Sequence, residues 1–357
     1  MIEDYRLDAY DFDLPEVLIA QEPTAERDQS RLLVVEAPEH DGEHVALTDT
    51  VFAQLSSYLQ RGDVLVVNDS RVFPARLIGT RSTGGRAELL LIEPQDDGTW
   101  TALTRPAKKL ATGATVSFGP TEAPTLTATV VAEGEGGRRQ VAFDHEANTL
   151  DEAIDAVGRM PLPPYIRRHE PRAADRDRYQ TVYAQHRGSV AAPTAGLHFT
   201  PAVLDACKAR GVEVARVTHH VGYGTFEPVK VDDLRGHRVA AERFTLAEPE
   251  AARIEVARAE GRRIIAVGTT TTRALESAVG ENGRLIAGTR STSLTITPGY
   301  PFRVINGLVT NFHLPRSSLL VLVSALVGRA RILEAYDHAI AQGYRFYSYG
   351  DAMLILP

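Results

Sequence analysis

A single cysteine, Cys207, leaves the chain without the pair that a disulfide needs and without the thiolates of a Cys-cluster zinc site, so a reducing setting is expected. Long apolar runs are missing too. The longest, residues 319–327, is interrupted by Ser324 and reaches about half of the ~20 residues that span a bilayer, which predicts a buried helix. Met1-Ile2-Glu3-Asp4-Tyr5 lacks the basic, apolar, then small-residue order of a secretory signal, so a cytoplasmic location is expected. Basic charge is not in excess, and a formal net charge of -7 argues against a protein coated in nucleic acid. Neither Gly-x-Gly-x-x-Gly nor Gly-Lys-Ser occurs, which removes nicotinamide dinucleotides and P-loop hydrolysis.

What remains is a chain of 357 residues, 43% of them hydrophobic, long enough for two folded cores. Its text changes character twice. Short β-type runs at 75–80, 87–92, 99–104, 115–118, 126–132 and 140–143, separated by Gly, Pro and Asp, predict a small barrel. On either side strands alternate with helices. Strands are expected at 62–69, 212–218, 263–267 and 344–347, and helices at 150–157, 201–210, 249–260, 273–279, 317–328 and 332–342. The fold class is therefore α/β: a mixed α/β main domain, residues 1–73 and 149–357, interrupted by an inserted β-barrel domain, residues 74–148.

Residues 188–200 and 217–226 interleave glycines, hydroxyls, aromatics and imidazoles with no helical or alternating period. Packing alone gives no reason for that order. Glycine lets a backbone approach a ligand, and histidine titrates nearest neutrality. Open α/β sheets bind ligands beyond the carboxyl ends of their strands, and four polar strand ends would meet there. They are Asn68-Asp69-Ser70-Arg71, His219-His220, Gly268-Thr269-Thr270-Thr271-Thr272-Arg273 and Ser348-Tyr349-Gly350-Asp351. The threonine run, expected as a loop feeding a helix, suits an anion. His313 lies before the Ser317 cap of another helix. Adjacent residues of a strand point oppositely, so His219 and His220 do not make a metal pair, and no metal is expected. Seven arginines against three acids between Arg159 and Arg187, interleaved with Tyr165, Tyr179 and Tyr183, suit phosphate and base contact.

Long collinear motifs then carry a resemblance. Asp11-Phe12-Asp13-Leu14-Pro15, Asn68-Asp69-Ser70-Arg71-Val72-x-Pro74-Ala75-Arg76, Gly158-Arg159-x-Pro161-Leu162-Pro163-Pro164-Tyr165-Ile166, Ala192-Pro193-Thr194-Ala195-Gly196-Leu197-His198-Phe199-Thr200, Asn306-Gly307-x-x-Thr310-Asn311-Phe312-His313-Leu314-Pro315 and Tyr349-Gly350-Asp351-Ala352-Met353 resemble the S-adenosylmethionine:tRNA ribosyltransferase-isomerases of queuosine synthesis. The resemblance implies an α/β domain interrupted by a barrel. It also implies transfer and isomerisation of the ribosyl group of S-adenosylmethionine onto 7-aminomethyl-7-deazaguanine at a tRNA wobble position, giving epoxyqueuosine-tRNA, adenine and methionine. S-adenosylmethionine is a co-substrate, and no prosthetic group is implied.

On that resemblance His198 and His220 are expected to handle protons, with Asp351 orienting one of them or acting as base. Asp69, Phe199 and Phe226 are expected around the sulfonium, and Thr270 and Arg273 on the methionine carboxylate. Arg71, Thr194, Gly196, Thr225, Asn311 and His313 complete the expected substrate site. Arg159, Tyr165, Arg167, Arg168 and Tyr179 are expected to meet the tRNA. The partners are tRNA and S-adenosylmethionine, and a monomer is expected. Members usually carry His-x-Met-His-x-Glu where this chain has His237-Arg238-Val239-Ala240-Ala241-Glu242, so Ala240 replaces a histidine. The family's Leu before His-Val-Gly is His219 here. A methyltransferase acting on the same co-substrate, or a non-catalytic RNA-binding module, would be the rival readings.

Overall fold

The computed structural model describes residues 3–36, 45–120, 122–168 and 172–356. In chain order the strands are β1 (Arg31–Glu36), β2 (Ala46–Val51), β3 (Val64–Asn68), β4 (Ser70–Val72), β5 (Arg76–Arg81), β6 (Arg86–Pro94), β7 (Trp100–Arg105), β8 (Thr115–Phe118), β9 (Leu126–Glu133), β10 (Arg138–His145), β11 (His186–Ser189), β12 (Glu213–His219), β13 (Glu242–Leu246), β14 (Ile264–Val267), β15 (Gly288–Thr292), β16 (Gly307–Asn311) and β17 (Ala352–Leu356). The helices are α1 (Leu150–Val157), α2 (Ala174–Arg178), α3 (Pro201–Ala209), α4 (Glu248–Ala259), α5 (Thr269–Ser277), α6 (Ser318–Val327) and α7 (Arg329–Ala341).

Every residue of β3, Val-Leu-Val-Val-Asn, is buried, which a strand can sustain only when both sheet faces are covered. Val64 and Val66 pack into one core with α4, α5, α6 and α7, while Leu65 and Val67 enter a second core with α3 and the 3-10 turn Phe52–Tyr58. This two-residue alternation divides the apolar content of the sheet. Nine strands lie in the order β15-β13-β12-β3-β14-β16-β17-β1-β2. The central β12, β3, β14 and β16 are parallel, whereas β17 runs antiparallel to β16 and parallel to β1. Consequently the carboxyl ends of four strands and the amino ends of β17 and β1 share one edge.

Strands β5 to β10 close a barrel in the order β10-β7-β6-β5-β8-β9. Alternation in β6 and β9 sends Leu89, Leu91, Leu126, Ala128 and Val130 inward. Helix α1 stoppers that core with Ala153 and Ile154, and its first turn is capped by the Thr149 hydroxyl, which accepts from the Glu152 amide. The chain is thus a mixed α/β protein interrupted by a barrel, and Arg76 and Arg159 pair through their backbones where the two meet.

Two expected elements differ. Helix α5 begins at Thr269, not Arg273, because Gly268 takes a φ of +91° and turns the chain straight from β14 into the helix. Residues 344–347 form no strand beyond a bridge between Phe346 and Ile19. Their aromatic rings instead join Phe312 and Tyr336 in a packed cluster, and β17 follows them into the middle of the sheet. Among the described residues no helix is long and apolar enough to cross a membrane.

Candidate active site

The shared edge carries a pocket with about 570 Å³ of free space. Its walls come from residues 192–195, Val221 and Thr225, from Gly268, Thr269 and Thr270 of the α5 start, from residues 310–313 after β16, and from Tyr347 and Ser348 before β17. Two parts of the aperiodic text, 188–200 and 217–226, therefore meet in this wall, where the Val190 amide donates to the Val221 carbonyl at 2.9 Å. Tyr347 holds a φ of +77°, a conformation that side chains rarely adopt, at the point where its ring meets the pocket.

The threonine run divides its labour. Thr271 and Thr272 are fully buried and turn their hydroxyls back onto the carbonyls of Val267 and Gly268. Thr269 and Thr270 line the pocket, and the first turn of α5 has no side-chain cap. That end can accept an anion.

His313 is the imidazole in the pocket wall. Thr310 Oγ1 and the Tyr336 hydroxyl both lie 3.4 Å from its nitrogens, and burial lowers its pKa to about 3. It is neutral at physiological pH. Asn311, also in the wall, donates from Nδ2 to His198 Nε2 at 3.0 Å, and its buried Oδ1 has no protein partner among the described residues. With Nε2 accepting, His198 Nδ1 carries the proton toward Ser30 Oγ at 2.7 Å, and Ser30 donates on to the Arg27 carbonyl. Burial first, then the charges of Arg345 and Arg27, lowers His198 to about 3. Both of its nitrogens are engaged and its ring lies behind the pocket wall.

Asp351 braces the same region. Its carboxylate accepts from the backbone of Arg31 at 3.0 Å and of Arg345 at 2.8 Å, tying β1 to the turn before β17, and its carbonyl faces Asn311. His220 stands apart from this pair. Its Nδ1 is 2.8 Å from Ser70 Oγ, which is 2.7 Å from Ser189 Oγ, and the ring is half-buried one residue from Val221 of the wall. Burial, then Arg243, His219 and His186, lowers His220 to about 4. Asp69 accepts from Thr218 Oγ1 at 2.6 Å in that second cluster, and Arg71 is exposed on β4.

Phe199, expected on the sulfonium, is fully buried between Phe52 and Tyr183 and is not part of this pocket's wall. The Phe226 side chain, also expected on the sulfonium, lies outside the described residues. Gly196 sits where a Cβ would come within 2.2 Å of the Tyr183 hydroxyl, so its glycine serves close packing. Thr194 and Thr225 line the pocket.

Thr225 and Leu319 also line a second, adjoining pocket with Ala240, Glu242 and Arg273. Arg273 donates to Glu242 Oε2 at 2.6 Å and to the Leu294 carbonyl at 3.0 Å. His219, fully buried, faces the Thr270 carbonyl and Glu242 Oε2 at 2.9 and 3.1 Å. Glu242 was visible in sequence only beside the altered Ala240 position. Ser348 reads in sequence as the first residue of a polar strand end, whereas Tyr347 reads only as the last residue of the strand expected at 344–347.

A basic groove runs between barrel and main body. Arg76, Arg105, Arg138, Arg168 and Lys230 line one part of it, and Arg86, Arg159 and Arg176 another. Arg167 pairs with Glu16 and Arg168 with Asp175. Tyr165 receives the Ser348 amide on its hydroxyl, and Tyr179 is fully buried with its edge toward Tyr349, which leaves no face for a base.

The queuosine biosynthesis protein family model matches residues 7–355. The S-adenosylmethionine:tRNA ribosyltransferase-isomerase of Syntrophotalea carbinolica is 50% identical over 98% of this chain and 100% of its own. That of Acaryochloris marina is 48% identical over 99% of this chain and 94% of its own. Among solved structures, S-adenosylmethionine tRNA ribosyltransferase from Thermotoga maritima is similar with a TM-score of 0.55 at 34% identity, covering 98% of this chain and 100% of that one. A match that runs collinearly through barrel, pocket and carboxyl-terminal strand identifies the chain as a member of the queuosine biosynthesis protein family.

Proposed function

We propose that this chain transfers the ribosyl group of S-adenosylmethionine to the aminomethyl group of 7-aminomethyl-7-deazaguanine at a tRNA wobble position and isomerises it, giving epoxyqueuosine-tRNA, adenine and methionine. The observation that carries the reading is the pocket at the carboxyl edge of the sheet, which combines a neutral imidazole, an unpartnered amide oxygen and an uncapped helix start in a chain of this family. His313 is the group assigned to proton transfer, since among the described residues it is the imidazole that lines this pocket and a neutral ring keeps a lone pair for the proton on carbon beside the sulfonium. Asn311 Oδ1 receives a substrate N–H or O–H. Asp351 and His198 hold Asn311 in place, and His220 with Ser70 is assigned to a second proton transfer at the edge. Asp69 belongs to that second cluster and supports the His220 side.

The tRNA is assigned to the groove around Arg159 and Arg105, with Tyr165 bracing the Ser348 turn. The test incubates the enzyme with S-adenosylmethionine and tRNA bearing the deazaguanine precursor. Expected products are adenine, methionine and ribosyl-modified tRNA, whereas S-adenosylhomocysteine means methyl transfer and overturns the reading. His313→Gln is expected to lower adenine release by about a hundredfold with co-substrate binding retained. His198→Gln, which keeps part of the bond to Asn311, loses less.

A further inference from the structure

The pocket that adjoins the first one carries a cation and an anion that the proposed proton transfers leave unused. Arg273 and Glu242 both line it, and its remaining walls are largely apolar, from Leu294, Ile296, Leu319 and Leu322. Thr225 and Leu319 belong to both pockets, so one elongated ligand can lie across the pair. We propose that this second pocket is the subsite for the α-amino-acid end of S-adenosylmethionine, with the carboxylate on Arg273, the ammonium on Glu242, and His219 as the positioning residue behind them. The assignment rests on the reading of the first pocket as the site of ribosyl transfer.

Hydrogen-bond accounting leaves room for that ligand. A guanidinium has five N–H groups. Arg273 directs three of them to Leu294, Glu242 and Thr292, so two remain. Glu242 Oε2 takes Arg273 and His219, whereas Oε1 takes only the Gly222 amide at 2.8 Å and keeps a lone pair. Burial alone would raise the Glu242 carboxyl, but the hydrogen bond and charge of His219, then Arg273 and the Gly222 amide, bring it down to about 2. A carbonyl can only accept, so His219 Nδ1 donates to Thr270, which holds the ring with Nε2 3.1 Å from Glu242 Oε2. Arg273 and Glu242 thus set a cation and an anion side by side, next to the uncapped first turn of α5. An amino-acid zwitterion on a methylene stem matches a wall that offers one cation, one anion and apolar sides.

Calorimetric titration of the intact chain with L-methionine alone reads the subsite without turnover. Ala240→Phe fills the pocket without touching either charge. It is expected to weaken methionine binding at least tenfold and to leave adenosine binding within twofold. In a second arm, adenine release is compared for S-adenosylmethionine and its decarboxylated analogue. His219→Leu removes the ring that braces Glu242 and, through it, Arg273, and is expected to shrink the preference for the carboxylated form at least tenfold. A variant that merely loosens the fold slows both co-substrates alike and leaves that ratio unchanged. Absence of methionine binding to the wild type, undiminished binding to Ala240→Phe, loss of both ligands in that variant, or a wild-type ratio in His219→Leu overturns the assignment. Should the wild type release no adenine while Ala240→Phe alone loses methionine, the catalytic reading fails and the subsite stands.

Discussion

Imidazoles buried without a carboxylate partner give up their charge, and His198 and His313 are both of this kind. Their folded-state pKa values of about 3 lie below the ordinary histidine value of about 6.5. Between those values the unfolded chain binds the proton and the folded chain does not, so stability is present above about pH 6.5 and is lost as pH falls toward 3. By pH 5 each group costs roughly 2 kcal/mol. Urea midpoints measured from pH 7.5 to pH 4.5 are expected to fall, and more shallowly in His198→Gln; an equal slope in that variant would mean that His198 is not the titrating group. The residue types at the site were visible in sequence, but the atoms they spend were not. Whether His198 is free or tied depends on Ser30, 168 positions away, and on Asn311, 113 positions away. Phe199 and Tyr179 read as ligand contacts because aromatic rings serve cores and ligands alike, and here tertiary packing claims both.

Helix α5 depends on one glycine. Gly268 takes a φ of +91°, and the nearest atom to an added Cβ, that of Ala195, would be 3.7 Å away, so a substitution meets conformational strain rather than a clash. Gly268→Ala is expected to cost about 1–2 kcal/mol of stability. Because Thr269 and Thr270 ride on that turn, the KM for S-adenosylmethionine is expected to rise more than the KM for tRNA. Thermal melts and paired kinetics check both parts, and a rise in neither KM would separate the turn from the site. Elements with local signals were legible: the Thr149, Thr200 and Ser317 caps each precede an observed helix, and turn residues bracket the six barrel strands. Strand β17 was not, since Ala-Met-Leu-Ile-Leu has one β-branched residue where the equally buried β3 has three. The start of α5 was missed for a related reason: threonine disfavours helix interiors, yet here two hydroxyls bond back to carbonyls and the run is held by the sheet.

At the scale of the molecule, a chain of net charge -7 must meet a polyanion through a local concentration of arginine. The barrel supplies half of it. Arg86 and Arg105 come from the barrel and Arg159 from the segment that re-enters the main body, all facing one groove, while Arg167, Arg168 and Arg172 are already matched by Glu16, Asp175 and Glu22. Arg105 and Arg159 meet no acidic side chain among the described residues, so they can neutralise phosphate without first breaking an ion pair. Each phosphate so neutralised releases counterion and adds slightly less than one unit to the slope of log affinity against log salt. Replacing Arg105 and Arg159 together by Ala is expected to weaken tRNA binding and to reduce that slope by roughly 1.5, with the KM for S-adenosylmethionine unchanged. The paired acidic contacts predict the converse for Arg167→Ala, which frees Glu16 rather than a phosphate site and leaves the slope near its wild-type value. Filter binding across a salt series distinguishes the two, and an equal loss of slope in both variants would move the tRNA off the groove's unpaired arginines and onto the exposed loop.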